Sequence, residues 1–239
     1  MQLFDRYMEW MEGGTSLFSE GISTLGSGDH DRKTLLPDWN VAQLIAHVNS
    51  NARALVNLTF WARTGVERPM YESNDQRVTD IDEGAKQSLE YLKQDFNISS
   101  GELASSMRSL TLKELDFKVK SARGRVIPAS EAAWIRIREV WIHAVDLAVG
   151  ISFSRFPQLL LEALLDDVIG AYALRQDTPP LELVAADTQK TWRTGQSGSR
   201  GPIGGTESEL LAWLIGRSNG ETLRLGMPGN ELPNLPPWL

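Results

Sequence analysis

Apolar residues recur at helical spacing through most of the first 150 positions. Leu3, Tyr7, Trp10, Leu17, Phe18 and Ile22 predict an amphipathic helix over about Leu3–Leu25, weakened in the middle by Gly13-Gly14. LPDWNVAQLIAHVNSNARALVNLTFWARTG carries the clearest helix start: Pro37 precedes it, Asp38 or Asn40 can cap it, and Gly65 follows its end. A third helix is predicted over roughly Asp80–Phe96, with Ile81, Ala85, Leu89 and Leu92 on one side, and a short one near Glu102–Leu110. LDFKVKSARGRVIPAS alternates polar and apolar residues about Ala122-Arg123-Gly124, as a β-hairpin does. Ser130 is placed to cap a last helix, which runs through AWIRIREVWIHAVDLAV to Gly150.

The pattern changes after Gly150. ISFSRFPQLL reads as a connector, with Pro157 at the start of a helix running to about Arg175, where DTPP breaks it. LELVAADTQKTWRTG predicts a second hairpin turning near Asp187-Thr188-Gln189, and GQSGSRGPIGG a long glycine-rich loop. Thr206 and Glu209 form the Thr-x-x-Glu capping box of the helix ELLAWLIGR. ETLRLGM predicts a final strand and PGNELPNLPPWL a proline-rich tail. The expected fold class is α+β in two domains: a helical bundle with a small hairpin over 1–150, and a small α+β domain over 151–239. No internal repeat is visible.

Composition narrows the function classes. Of 239 residues 41% are apolar and 23% charged, ordinary for a chain with a real core. MQLFDRYMEWMEGG lacks a basic region leading into an apolar run, so no signal peptide is expected, and no stretch approaches the ~20 apolar residues of a membrane span. Net charge is −7 without a basic cluster, which argues against a nucleic-acid partner. There are no cysteines, which removes disulfides and any thiol nucleophile of the protein's own.

Within REVWIHAVDL, Glu139 and His143 stand four residues apart and so share one face of an apolar helix. A metal site, an acid–base pair and a buried salt bridge all remain open on spacing alone. His47 adds a third group; it shares a face with Leu44, Asn51, Ala54 and Leu58, apolar enough to point inward. Two histidines and one carboxylate form a three-ligand set of catalytic zinc, which bundles build from facing helices. His30, in SGDHDR, reads as a solvated loop residue. Arg136 lies near the face of Glu139 and His143 and is a candidate for substrate contact. Asp146, three residues after His143, is placed to orient its imidazole, and Asn51 to line the site one turn beyond His47.

Three segments, LLPDWNVAQLIAHVNSNARAL, REVWIHAVDL and ELLAWLIGRSNG, resemble in order and spacing the signature segments of the mycothiol-dependent maleylpyruvate isomerase family. The matching elements are Leu-Pro-x-Trp with a helical His beyond it, Glu-Val-x-x-His-x-x-Asp-Leu with an Arg upstream, and Trp-Leu-x-Gly-Arg. The resemblance implies a DinB-like four-helix bundle holding a divalent metal, zinc, at His47, Glu139 and His143. It implies a C-terminal domain closing the active site, with Arg217 in the Gly-Arg step contacting substrate. The implied reaction is the cis–trans isomerisation of maleylpyruvate to fumarylpyruvate in gentisate degradation, with mycothiol as thiol cosubstrate. A monomer in the cytoplasm, meeting only small molecules, is the matching expectation. Two alternatives stand beside it: another mycothiol-dependent transferase or detoxification reaction on this scaffold, and a non-catalytic metal-binding regulatory module.

Overall fold

The structure, a computed structural model, describes residues 2–195, 201–226 and 231–238. Contacts divide the chain into two compact units, Met1–Ile151 and Ser152–Leu239.

In the first unit, α1 (Gln2–Ser23) is followed by α2 (Val41–Thr64), α3 (Asn74–Ala85), α4 (Leu89–Arg108) and the single turn α5 (Leu112–Leu115). A hairpin of β1 (Lys118–Lys120) and β2 (Val126–Pro128) then leads into α6 (Glu131–Asp146). Helices α1, α2, α4 and α6 form a four-helix bundle in which α1 packs on α6 and α4, and α2 on α4 and α6. Its core includes Phe18 and Phe96, ring centroids 4.9 Å apart, and the buried Leu44, Leu55, Leu58, Leu92 and Leu103.

Local chemistry explains the boundaries. Asn40, rather than Asp38, caps α2: its side chain accepts from Gln43 N at 2.9 Å, and Gln43 returns the bond. Gly65 ends the helix at φ 73°, a conformation open to glycine. The single helix expected over Asp80–Phe96 is two. Ser73 and Ser88 each cap a new start by accepting from the backbone three residues on, so α3 begins at Asn74 and α4 runs unbroken from Leu89 to Arg108. Ser130 makes no side-chain cap to α6, contrary to its expected role.

Gly13 and Gly14 do more than weaken α1. A Cβ built on Gly14 would stand 2.5 Å from both Trp141 Cδ1 and Val140 Cγ2, so glycine is what lets α1 approach α6. Trp141 Nε1 donates to Trp10 O at 2.7 Å across the same contact.

In the second unit, α7 (Gln158–Ala173) precedes β3 (Leu181–Ala185), β4 (Thr191–Thr194), β5 (Ile203–Gly205), α8 (Glu207–Leu214) and β6 (Arg224–Leu225). The sheet order is β4-β3-β5-β6: β3 pairs antiparallel with β4, β5 parallel with β3, and β6 antiparallel with β5. The glycine-rich loop expected over 195–205 therefore ends in a strand. Its last glycine is a packing residue, since a Cβ on Gly205 would lie 2.4 Å from Leu223 Cδ2. Residues 196–200 of that loop, and 227–230 and 239 near the tail, lie outside the described residues. Tyr172 OH, with one proton to give, lies 2.7 Å from Leu214 O and 3.0 Å from Pro236 O, bringing the tail against α7 and α8. No described helix is long and apolar enough to cross a membrane.

Candidate metal centre

Helix α6 carries Arg136, Glu139, His143 and Asp146 at intervals of three or four, so all four face the interior of the bundle together. Opposite them α2 presents His47, buried to 4% exposure. One ligand-type atom from each of His47, Glu139 and His143 lies within 4.8 Å of the other two. Both imidazoles aim at a single carboxylate oxygen: Glu139 Oε2 lies 2.8 Å from His47 Nε2 and 3.1 Å from His143 Nε2. The two rings are 5.2 Å apart at 83°.

The far nitrogens set the orientations. His143 Nδ1 stands 2.9 Å from Asp146 Oδ2, which holds a proton there and turns Nε2 toward Glu139. His47 Nδ1 lies 3.4 Å from Arg77 Nη2 on α3. The Trp39 ring packs on His47 at 4.8 Å, which gives the Leu-Pro-x-Trp element a physical role. The segment carrying Trp39 is fastened to the end of α6, where Leu35 N donates to Asp146 O at 2.9 Å.

Burial pushes the Glu139 carboxyl up, but His47 and His143 reverse this and hold it well below the carboxylate range. Burial lowers His143 too, yet bonds to Asp146 and Glu139 raise it to about 9. Burial wins at His47, whose pKa falls below 6.5. The donor set suits a divalent ion such as zinc. Ligand atoms bound about 2.0–2.2 Å from one ion stand roughly 3–4 Å apart, so small outward shifts of these groups would admit it.

Arg136 is fully buried beneath this cluster. It donates to Val48 O at 2.6 Å, Asn51 Oδ1 at 3.1 Å and Ser100 Oγ at 3.0 Å, with its guanidinium over Phe96. Burial lowers the guanidinium to about 10, against the pull of Glu139 and Tyr71. Its bonds run to the bundle's own backbone and side chains. Asn51, buried on α2, is held to Arg136 through its Oδ1. Arg217 belongs to the second unit, just past α8, where Gly216 takes φ 73°; its Nη1 donates to Ile215 O at 2.8 Å. His30 stays apart from the cluster, bonded to Asp31 and Gln87 O. Two neighbours of the cluster escaped the sequence reading, Arg77 and Tyr71, the guanidinium lying 5.7 Å from the tyrosine ring. The signal for Arg77 was Ser73 with Gln76, a Ser-x-x-Gln cap at the start of a helix.

Fold and site together define a class: a helical bundle whose two-histidine, one-carboxylate cluster faces its interior, joined to a small α+β unit. The sequence profile of the mycothiol maleylpyruvate isomerase N-terminal domain matches residues 15–148. The chain belongs to the mycothiol-dependent maleylpyruvate isomerase family. The crystal structure of the mycothiol-dependent maleylpyruvate isomerase is similar at a TM-score of 0.92 and 29% identity, over 98% of this chain and 97% of that one. A histidine-to-alanine mutant of that enzyme matches at 0.92 and 28%, with the same coverage. No curated protein sequence matches the chain significantly.

Proposed function

We propose that this protein isomerises maleylpyruvate to fumarylpyruvate with mycothiol as its thiol, in the cytoplasm, as a step of gentisate degradation. The observation that carries the reading is the convergence of His47, Glu139 and His143 in a chain of this family that has no cysteine. Zinc held by those three residues would lower the pKa of a thiol brought beside it, supplying a thiolate at neutral pH.

The chain's own groups do the rest by position. With an ion bound, Asp146 would hold the single proton of a neutral His143 on Nδ1, leaving Nε2 to ligate. Glu139 would supply the anionic ligand, and the buried Arg136 partly offsets its charge. The mycothiol thiolate adds to the cis double bond of the substrate, which becomes a single bond and rotates. Expulsion of the same thiolate restores the double bond as trans, so no atom is gained or lost. The enolate formed on addition needs a cationic or hydrogen-bonding partner, as do the two carboxylates. Arg217, with its planar two-pronged donor, is proposed for that contact on its match to the Gly-Arg segment. No such contact is assigned to Arg136, whose donors serve the bundle.

The test is purified, zinc-loaded protein assayed on maleylpyruvate with and without mycothiol. Fumarylpyruvate formed only with the thiol is the expected result. Full turnover without any thiol would end the reading.

A further inference from the structure

The first N–H groups of α2 and the last carbonyls of α6 have no partners within their own helices, as at any helix end. One short segment supplies both sets. Val41 N donates to Arg32 O at 2.9 Å, Ala42 N to His30 O at 3.2 Å, and Gln43 N to the Asn40 side chain at 2.9 Å. At the other helix Leu35 N donates to Asp146 O at 2.9 Å, and Arg32 reaches the next two carbonyls. Its Nη2 donates to Leu147 O at 3.0 Å and its Nη1 to Ala148 O at 3.2 Å, where Ala148 turns the chain at φ 54°.

Arg32 therefore stands on both helices at once. Its carbonyl holds the start of α2, and its guanidinium holds the end of α6, where a cation also complements the helix dipole. Asp29 fixes that guanidinium: its Oδ1 lies 3.1 Å from Arg32 Nε, while its other oxygen accepts from Gly26 N at 2.8 Å. The two helices so joined carry the candidate ligands. His47 follows Val41 by six residues, roughly 9 Å along α2, and His143 precedes Leu147 by four, roughly 6 Å along α6. On the other side of the ligands Arg136 makes a second tie from α6 to α2, at Val48 O and Asn51. The cluster lies between two arginine ties.

Resting on the metal reading, we propose that Arg32 is a positioning residue for the centre: it sets the register of α2 against α6, and so the spacing of His47 from Glu139 and His143. A metal site holds its ligand distances to within about 0.2 Å, so slack at one end of the helix pair is felt there. Arg136 lies in the core, where its loss unsettles the fold. Arg32 is half-buried at the end of the helix pair, so its loss relaxes the register while the apolar core stays closed.

The test measures zinc affinity of the full chain by competition with a chromophoric chelator, beside urea unfolding of the metal-free protein. Wild type is compared with Arg32→Met, Arg32→Lys and Arg108→Met. The last removes a tie between α4 and Glu12 of α1, two helices that carry no ligand. Arg32→Met should bind zinc about three- to tenfold more weakly, below the roughly 10–100-fold effect of a group bonded directly to a ligand. Arg32→Lys keeps the cation without the grip on two carbonyls and should fall between Arg32→Met and wild type; Arg108→Met should match wild type. Cobalt(II) in place of zinc gives a second readout, because its visible bands report ligand geometry. They should shift in Arg32→Met and stay in place in Arg108→Met. Wild-type affinity and an unchanged cobalt spectrum in folded Arg32→Met overturn the proposal, as does an equal loss in Arg108→Met. If Arg32→Met does not fold, Arg32→Lys decides, and wild-type affinity in that variant overturns it. Wild type that binds zinc no better than its Arg32 variants leaves the metal reading standing, whereas wild type that takes up no zinc removes both.

Discussion

His143 Nδ1 lies 2.9 Å from the carboxylate of Asp146, three residues further along α6, so one helix supplies both an imidazole and the group that orients it. Replacing Asp146 by Asn keeps the shape but lets an amide face the ring in either sense. The expected outcome is a roughly 10–100-fold loss of zinc affinity, read by competition with a chromophoric chelator. Unchanged affinity would mean that the contact leaves the ligand geometry alone.

The same pair sets a pH dependence in the ion-free protein. Folding raises His143 from 6.5 to about 9, so its imidazolium contributes stability fully present below pH 6.5 and lost as pH rises through 9. The melting temperature of protein in chelator should fall across that window, and Asp146→Asn should flatten the fall. Thermal melts from pH 6 to 9.5 check both.

Removing His47 should abolish stoichiometric zinc uptake and lower activity by more than the roughly 10–100-fold typical of an outer partner. The bundle should stay folded, because α2 is held by its buried apolar positions, Leu44, Leu55 and Leu58 among them. Metal analysis beside circular dichroism of His47→Ala separates loss of the site from loss of the fold.

Arg136→Met should act on stability. It strips the donor from Val48 O and Asn51 Oδ1 inside the bundle, which costs roughly 2–5 kcal/mol in urea unfolding. A rise in KM for maleylpyruvate with stability intact would restore the substrate contact that its spacing first suggested.

Arg217→Lys should do the opposite, leaving unfolding unchanged while kcat/KM on maleylpyruvate drops about ten- to a hundredfold through loss of a two-pronged, charge-assisted contact. Full kcat/KM in this variant would remove Arg217 from the mechanism.

Much of this was legible in the sequence. His47, Glu139 and His143 are polar residues on otherwise apolar helical faces, and such residues meet when those faces pack. For Arg136, spacing fixes a direction and leaves depth open. It shares the face of Glu139, but Val48, Asn51 and Ser100 reach it from two other helices, and no periodicity within α6 reveals them. Strand β5 was hidden because glycines selected for close packing look the same in sequence as glycines selected for freedom. Arg77 was missed because the helix expected from Asp80 starts earlier, at the Ser73 cap, and Tyr71 because it lies in the loop before that cap.

The glycines of α1 carry a further meaning. That helix contributes none of the three converging groups, yet its backbone rests against Val140 and Trp141, the residues immediately after Glu139. It therefore works as a shim behind the site: its thickness fixes how far α6 stands forward and so the gap between His47 and His143. A methyl group at Gly14 would act at a distance on the bite of a site it never touches. Selection on the centre's affinity thus reaches a part of the chain where no chemistry is written.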